Sequence, residues 1–471
     1  MLSNIALIPI DNRPVCYQLP QQIINLNQEH NLYLPDITLL GDLTKNANYD
    51  ALLYWLETLE NIDILVVCLD TIAYGGLILS RRSTDSFEII KSRIDKLFKI
   101  INNKKLTVYA FSSIMRISNN NYNEEEKEYW AQYGKRIFEY SYNMHKMEKN
   151  CAGENMLACN CAATRVPTDI LEDYLKTRKR NFEINKYYIE LAKQGTINTL
   201  VFSKDDCSEY GLNVKEAEEL ATLSNTMDNV FIKTGADEIP LTLLSLAINK
   251  KKHIKIAPIY TNTASIDKIS KYEDISVQKS VESQIEIAGG IVSDLNNCDM
   301  VLLVNNFKNE QGELVMNVHE PLFTGIIELP NKPYFIADIL NANGSDNNFV
   351  EELLKQNDLK DFYGYAAWNT TGNTLGSTLA CALTYYEAQK PNKNAFQTLQ
   401  LTRFLDDWVY QANVREQIRD NYENLSNAVV KTKMQNFEKT IFNKFAIKEM
   451  NIEYKFPWNR FFEIEICIKN D

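Results

Sequence analysis

Along this chain, short runs of apolar and β-branched residues alternate with longer stretches in which apolar residues recur every three or four positions. The runs predict strands at 5–10, 37–40, 64–69, 106–111, 199–202, 230–233, 254–259, 300–304, 334–337 and 363–367. The periodic stretches predict helices at 49–59, 87–101, 170–192 and 277–291. Continuously apolar strands separated by helices point to an α/β fold with parallel strands covered on both faces. Ten strands are two more than a barrel of eight requires. The expected architecture is therefore a parallel (β/α)8-like barrel core over 1–250 and 331–390, with an α/β insertion or additional strands at 251–330 and a mainly helical C-terminal region over 391–471. A pair of doubly wound sheets fits the same alternation and stands as the alternative. Within the C-terminal region, 461–468 alternates with period two and predicts a half-exposed strand.

Polar residues gather at one end of these runs. Asp11-Asn12-Arg13-Pro14 follows the first, Asp70 to Gly76 with Ser80-Arg81-Arg82 the third, and Ser112 to Arg116 the fourth. Ser203-Lys204-Asp205-Asp206, Gly235-Ala236-Asp237-Glu238, Asp338 to Gly344 and Trp368 to Asn373 follow later ones. Parallel α/β folds build their sites at the carboxyl ends of strands, where the loops converge. Any one such Asp reads equally well as a helix cap or turn residue; their shared end of the strands makes a common rim the sharper reading.

Two carboxylates near one ligand can divide labour, one protonated and one ionised, so Asp205 and Asp206 are the first candidates for catalysis and Asp237 and Glu238 the second. Arg13, Arg81 and Arg116 supply forks for a carboxylate or phosphate, or else pair with Asp11, Asp70 or Asp206. Asn341, Asn343, Asn369 and Asn373, with Asn262, Asn305 and Asn306, offer the paired donors and acceptors that read hydroxyl groups. Tyr74, Tyr260 and Trp368 offer apolar faces to a sugar ring, or simply fill the core. Asp11, Asp70 and Asp338 complete the expected substrate-binding set. The acidic triplet Glu124-Glu125-Glu126 suits a helix N-terminus.

Composition narrows the classes. Of 471 residues, 45% are hydrophobic and 24% charged, which is ordinary for a globular chain. With 62 acidic against 50 basic residues the net charge is −12, which argues against nucleic acid as partner. No apolar run reaches the ~18 residues of a membrane span. Nine cysteines without regular spacing and no export signal at the start lead us to expect a cytoplasmic protein with reduced thiols. The group Cys151, Cys159 and Cys161 matches no zinc spacing, and none of His30, His145, His253 and His319 sits at metal-ligand spacing. No nucleophile elbow and no glycine-rich phosphate loop is present. The expectation is a small-molecule substrate, a sugar, with no cofactor and no metal; the oligomeric state stays open.

The segments 7–14, 70–81, 205–206, 235–238, 272–277, 338–344 and 364–376 together resemble an uncharacterised bacterial family of unknown function, DUF4127, over nearly the whole chain. That resemblance identifies relatives and implies no activity. The Asp205-Asp206 pair, with Trp368 and asparagines on later strands, also resembles the substrate-assisted β-N-acetylhexosaminidases. This second resemblance implies that Asp205 orients the substrate's acetamido group, that Asp206 is the acid/base, and that Asn343 and Asn369 bind hydroxyls. The expected function is a glycoside hydrolase using paired carboxylates, N-acetylhexosaminides included. The alternatives are a hydrolase or phosphotransfer enzyme holding Mg²⁺ or Mn²⁺ on Asp11, Asp70 and Asp338, and a non-catalytic sugar-binding protein.

Overall fold

The first half of the chain lays down six strands, β1 (Ser3–Ile8), β2 (His30–Tyr33), β3 (Ile64–Cys68), β4 (Thr107–Ile114), β5 (Thr199–Lys204) and β6 (Val230–Thr234). All pair in parallel, in the order β2-β1-β3-β4-β5-β6. A second parallel sheet follows from β7 (Lys255–Tyr260), β8 (Ile291–Val292), β9 (Met300–Asn305), β11 (Tyr334–Asp338) and β13 (Phe362–Ala366), in the order β13-β11-β9-β7-β8. Two-residue strands β10 (Gly312–Glu313) and β12 (Asn341–Ala342) pair beside it, and β14 (Asn451–Lys455) and β15 (Glu465–Lys469) make an antiparallel pair near the C-terminus. The structure is a computed structural model that describes residues 3–150, 165–205, 207–249, 253–356, 359–419, 427–445, 447–448 and 450–469.

Among the described residues the pairings form two parallel sheets, and a closed ring of eight strands is not among them. Segment 251–330, expected as an insertion or as additional strands, supplies β7, β8 and β9 of the second sheet. Run 37–40 is a tight 3-10 turn, Ile37–Leu39, whose Thr38 amide is capped by the Asp36 side chain. The strand beside β1 is instead His30–Tyr33.

Both sheets share one feature of order. Each places its second strand outside its first, so the direction in which the sheet grows reverses between β1 and β3 and again between β7 and β9. The loops leaving two such strands at their carboxyl ends diverge and open a crevice, the usual ligand position in open α/β sheets.

Two buried helices join the halves. Helix Ile239–Asn249 is apolar nearly all round, and it packs on β3 and β4 on one side and on helix Thr371–Tyr386 on the other. The second helix starts cleanly because the Thr370 side chain accepts from the Asn373 amide. Close contact depends on Gly376, where an added Cβ would lie 2.4 Å from Glu238 Cγ and 2.9 Å from its Cβ. Those atoms adjoin backbone and cannot swing away. Gly376→Ala gains about 1 kcal/mol of helix propensity but overpacks the joint. A net loss of about 1–2 kcal/mol is expected, read as a lower urea midpoint with unchanged slope. Among the described residues, no helix is long and apolar enough to cross a membrane.

Candidate functional site

A cavity of about 550 Å³ lies at the carboxyl ends of the first sheet. Arg13 enters it from the turn after β1, Arg81 from the short helix Leu77–Arg82 beyond β3, and Arg116 from the loop after β4. Lys204 and Asp205 come from the end of β5, and Gly235 to Asp237 from the turn after β6. The opposite wall comes from the second half, through Glu313, Asn343, Asn369 and Asn373, and from the C-terminal residues Arg460, Phe462 and Glu463.

Arg13 organises one side. Its Nε donates to both oxygens of Asp11, at 3.0 and 2.9 Å, and its two terminal nitrogens grip Asp237 at 3.1 and 2.7 Å. Nη1 also donates to Glu463 Oε1 at 2.9 Å, and the Trp458 ring lies 5.0 Å from the guanidinium carbon. One guanidinium thus answers three carboxyls in a dry setting. Burial raises the pKa of Asp237, with Arg13 opposing. Burial likewise pushes Glu463 up to about 7 against the pull of Arg13. The second oxygen of Glu463, Oε2, is sealed from solvent and has no hydrogen-bond partner.

The other side carries three more arginines. Arg81 meets Asp205 at 2.6 Å, and Arg116 stands 3.7 Å from the same oxygen. Arg116 and Arg460 each reach Glu125 at 2.8 Å, and Arg116 also reaches Glu126 at 3.2 Å. Burial alone would raise the Glu125 carboxyl, but Arg116, Arg81 and Arg460 outweigh it and hold the group well below the usual carboxylate range. The acidic triplet therefore belongs to a turn that feeds charge to the cavity, and the next helix begins only at Trp130. Lys204 is paired with Asp274, whose other oxygen accepts from Thr234 at 2.8 Å.

Some polar groups facing the cavity stay unused. Asn373 is 3% exposed and its Oδ1 has no partner, as is true of the buried Ser118 hydroxyl. Asn369 is held at φ 54 with its backbone oxygen accepting from the Asn343 amide at 2.8 Å, which presents its side chain at the wall. Asn343 itself donates through Nδ2 to buried Glu313.

Of the expected site residues, Arg13, Arg81, Arg116, Asp205, Asp237, Asn343, Asn369 and Asn373 line this cavity, and Asp11 stands behind Arg13. Asp206 lies outside the described residues, as do Cys151, Cys159 and Cys161. Others are placed elsewhere. Asp70 turns into the sheet and accepts from Ser112 Oγ, Ser113 Oγ and the Ser113 amide at 3.0, 2.6 and 2.8 Å; burial raises it to about 6 against those bonds. Asp338 is fully buried in the second half, accepting from Asn305, Tyr365 and the Asp346 amide. Tyr74 is core, stacked near Arg180. Trp368 is buried with its Nε1 donating to Ser377 at 2.8 Å. Asn341 faces a different cavity. Asn262, Asn305 and Asn306 bond with Thr261, Ser265, Asp338 and one another, and Tyr260 lies outside the lining.

Glu238 is also interior. Its oxygens accept from the Ala236 amide and Gln284 Nε2, both at 2.9 Å, and burial, with Glu273 and Asp237 adding to it, raises it to about 8. A carboxyl raised from 4.5 to about 8 on folding holds its proton longer in the folded chain. Its contribution is fully favourable below 4.5 and is lost as pH rises toward 8. Glu238→Gln is therefore expected to flatten the fall in stability across that window and to exceed wild type at its upper end, measured by urea unfolding at several pH values.

Asp11, Asp70 and Asp338 are engaged by separate partners on separate elements, so they do not form one ligand set. Among the described residues no group of three or more His, Cys, Asp or Glu side chains is placed to hold a metal ion.

The chain belongs to the family described as Protein of unknown function (DUF4127), whose model matches residues 5–467. No curated protein matches it.

Proposed function

We propose that this cavity is the active site of a carbohydrate-active enzyme, a glycoside hydrolase in which Glu463 is the general acid/base. The observation that carries the reading is the state of the Glu463 carboxyl. One oxygen is fixed by Arg13, the other is sealed from solvent without a partner, the residue lines the cavity, and burial pushes its pKa up to about 7. A group titrating near the working pH is the efficient proton donor and acceptor.

The proposed step uses this chain's residues only. Protonated Glu463 gives its proton to the glycosidic oxygen as the bond from that oxygen to the anomeric carbon breaks. Asp205, held in place by Arg81 at 2.6 Å, supplies the second carboxylate, which attacks the anomeric carbon or activates water toward it. Asn369 and Asn373 read sugar hydroxyls, and Tyr272 and Phe462 offer ring faces. This assignment moves the acid from Asp206 to Glu463 and keeps Asp205. The sugar class, N-acetylhexosaminides included, is proposed from the amide-rich, charge-paired lining.

The test is a panel of aryl glycosides, with and without Mg²⁺ or Mn²⁺. Turnover that is lost in Asp205→Asn protein supports the reading. Silence on every glycoside, with metal-dependent release from phosphate esters, overturns it.

A further inference from the structure

A second cavity, about 600 Å³, adjoins the first and shares Val315, Arg460 and Phe462 with it. Its character differs. Leu314, Val315, Leu322, Ala412, Phe461 and Phe462 give it apolar walls. Within them lies Arg415, 6% exposed. Its guanidinium donates to Gln411 Oε1 and, at 3.0 Å, to the Asn343 carbonyl, and no carboxylate among the described residues comes within salt-bridge distance of it.

The nearby acids are already committed. Glu313 accepts from Asn343 and from the amides of Val315 and Met316. Asp406 is bound by Arg403 at 2.9 Å and by Gln411 at 3.1 Å. Of the carboxylates in the wall, Glu124 faces Arg460 at 3.5 Å, Glu320 accepts from the Lys308 and Asn309 amides at 3.2 and 2.8 Å, and Glu416 is exposed. A buried guanidinium without a counter-charge is costly, and these two hydrogen bonds with the Phe462 ring 5.7 Å away repay its desolvation only in part. A second donor points the same way: Asn341, 5% exposed, lines this cavity and its Nδ2 has no partner. Gln411 and Ala412 sit on a π-helical stretch, Phe404–Val414, that leads directly into Arg415; such widened turns are rare and gather at functional sites.

We propose that the second cavity binds the carboxylate of an apolar ligand, with Arg415 and Asn341 donating to the anion and the apolar walls holding the body that carries it. A planar carboxylate satisfies the unused donors of a guanidinium fork. This holds for the second cavity whether or not the first cleaves a glycoside; joined to the proposed function, on which this last step rests, it makes the substrate's leaving portion an apolar acid.

The probes are 2-naphthoate and its neutral isostere 2-naphthamide, titrated calorimetrically into the full chain. Wild type is expected to bind naphthoate at least tenfold more tightly than naphthamide, and Arg415→Gln to abolish that preference. Arg415 also bonds the Asn343 carbonyl, so a folding defect in that variant is guarded against by Leu322→Trp. Leu322 is 40% exposed, and a larger ring there fills the cavity with Arg415 intact. Loss of naphthoate binding in Leu322→Trp, with Glu463→Gln binding as wild type does, supports the site even where no glycoside is hydrolysed. Equal affinity for acid and amide, or naphthoate binding undiminished in both Arg415→Gln and Leu322→Trp, overturns it even where glycosides are hydrolysed.

Discussion

Arg13→Met protein is expected to lose about 3–5 kcal/mol of stability at pH 8, because the substitution strands buried acids. In the folded chain this one guanidinium bonds Asp11, Asp237 and Glu463, at distances between 2.7 and 3.1 Å. Methionine fills much the same space, so the lost packing is small and the lost counter-charge dominates. The pH dependence separates these two causes. Burial already raises Asp237 and Glu463 while Arg13 opposes it, and removing Arg13 lifts both further. The stranded acids then take up protons as pH falls, so the gap between variant and wild type should be larger at pH 8 than at pH 5. Urea unfolding at both values measures it, and an equal gap at the two would mean that packing, not charge, explains the loss.

Glu463→Gln is expected to lower kcat on a responsive glycoside by about 10²–10⁴-fold while the melting temperature stays close to wild type. The amide oxygen still accepts from Arg13, so the fold keeps its contact and only the transferable proton is gone. In wild type the rate should fall as pH rises through about 7, where the donor loses its proton. The variant should lack that limb. A large fall in kcat with the limb retained would place the titrating acid elsewhere.

Much of this site was legible from position alone. Arg13, Arg81, Arg116, Asp205 and Asp237 follow apolar runs, and parallel strands bring such ends to one rim. Position cannot tell which way a strand-end acid turns. Asp70 and Asp338 occupy the same kind of place but face inward, because Ser112 and Ser113 on β4, and Asn305 on β9, offer donors there. Glu463 was missed for a different reason. In a period-two reading of 461–468 it falls on the polar, outward face, yet β15 begins only at Glu465, and Glu463 folds back onto Arg13, 450 positions away. The two-sheet arrangement stood only as the alternative because a barrel and a sheet pair produce the same alternation. What separates them is where β2 and β8 lie, and these are the short His30–Tyr33 and the two-residue Ile291–Val292, too brief for any periodicity to show.

The most direct test of Glu463 as proton donor compares aryl glycosides of one sugar that differ only in leaving group. A dinitrophenolate departs without a proton, whereas phenol needs one. In kcat/KM, which reports the bond-breaking step, Glu463→Gln should match wild type closely on the dinitrophenyl glycoside and fall about 10²–10⁴-fold on the phenyl glycoside. Equal losses on both, or no turnover of either by wild type, would contradict the account.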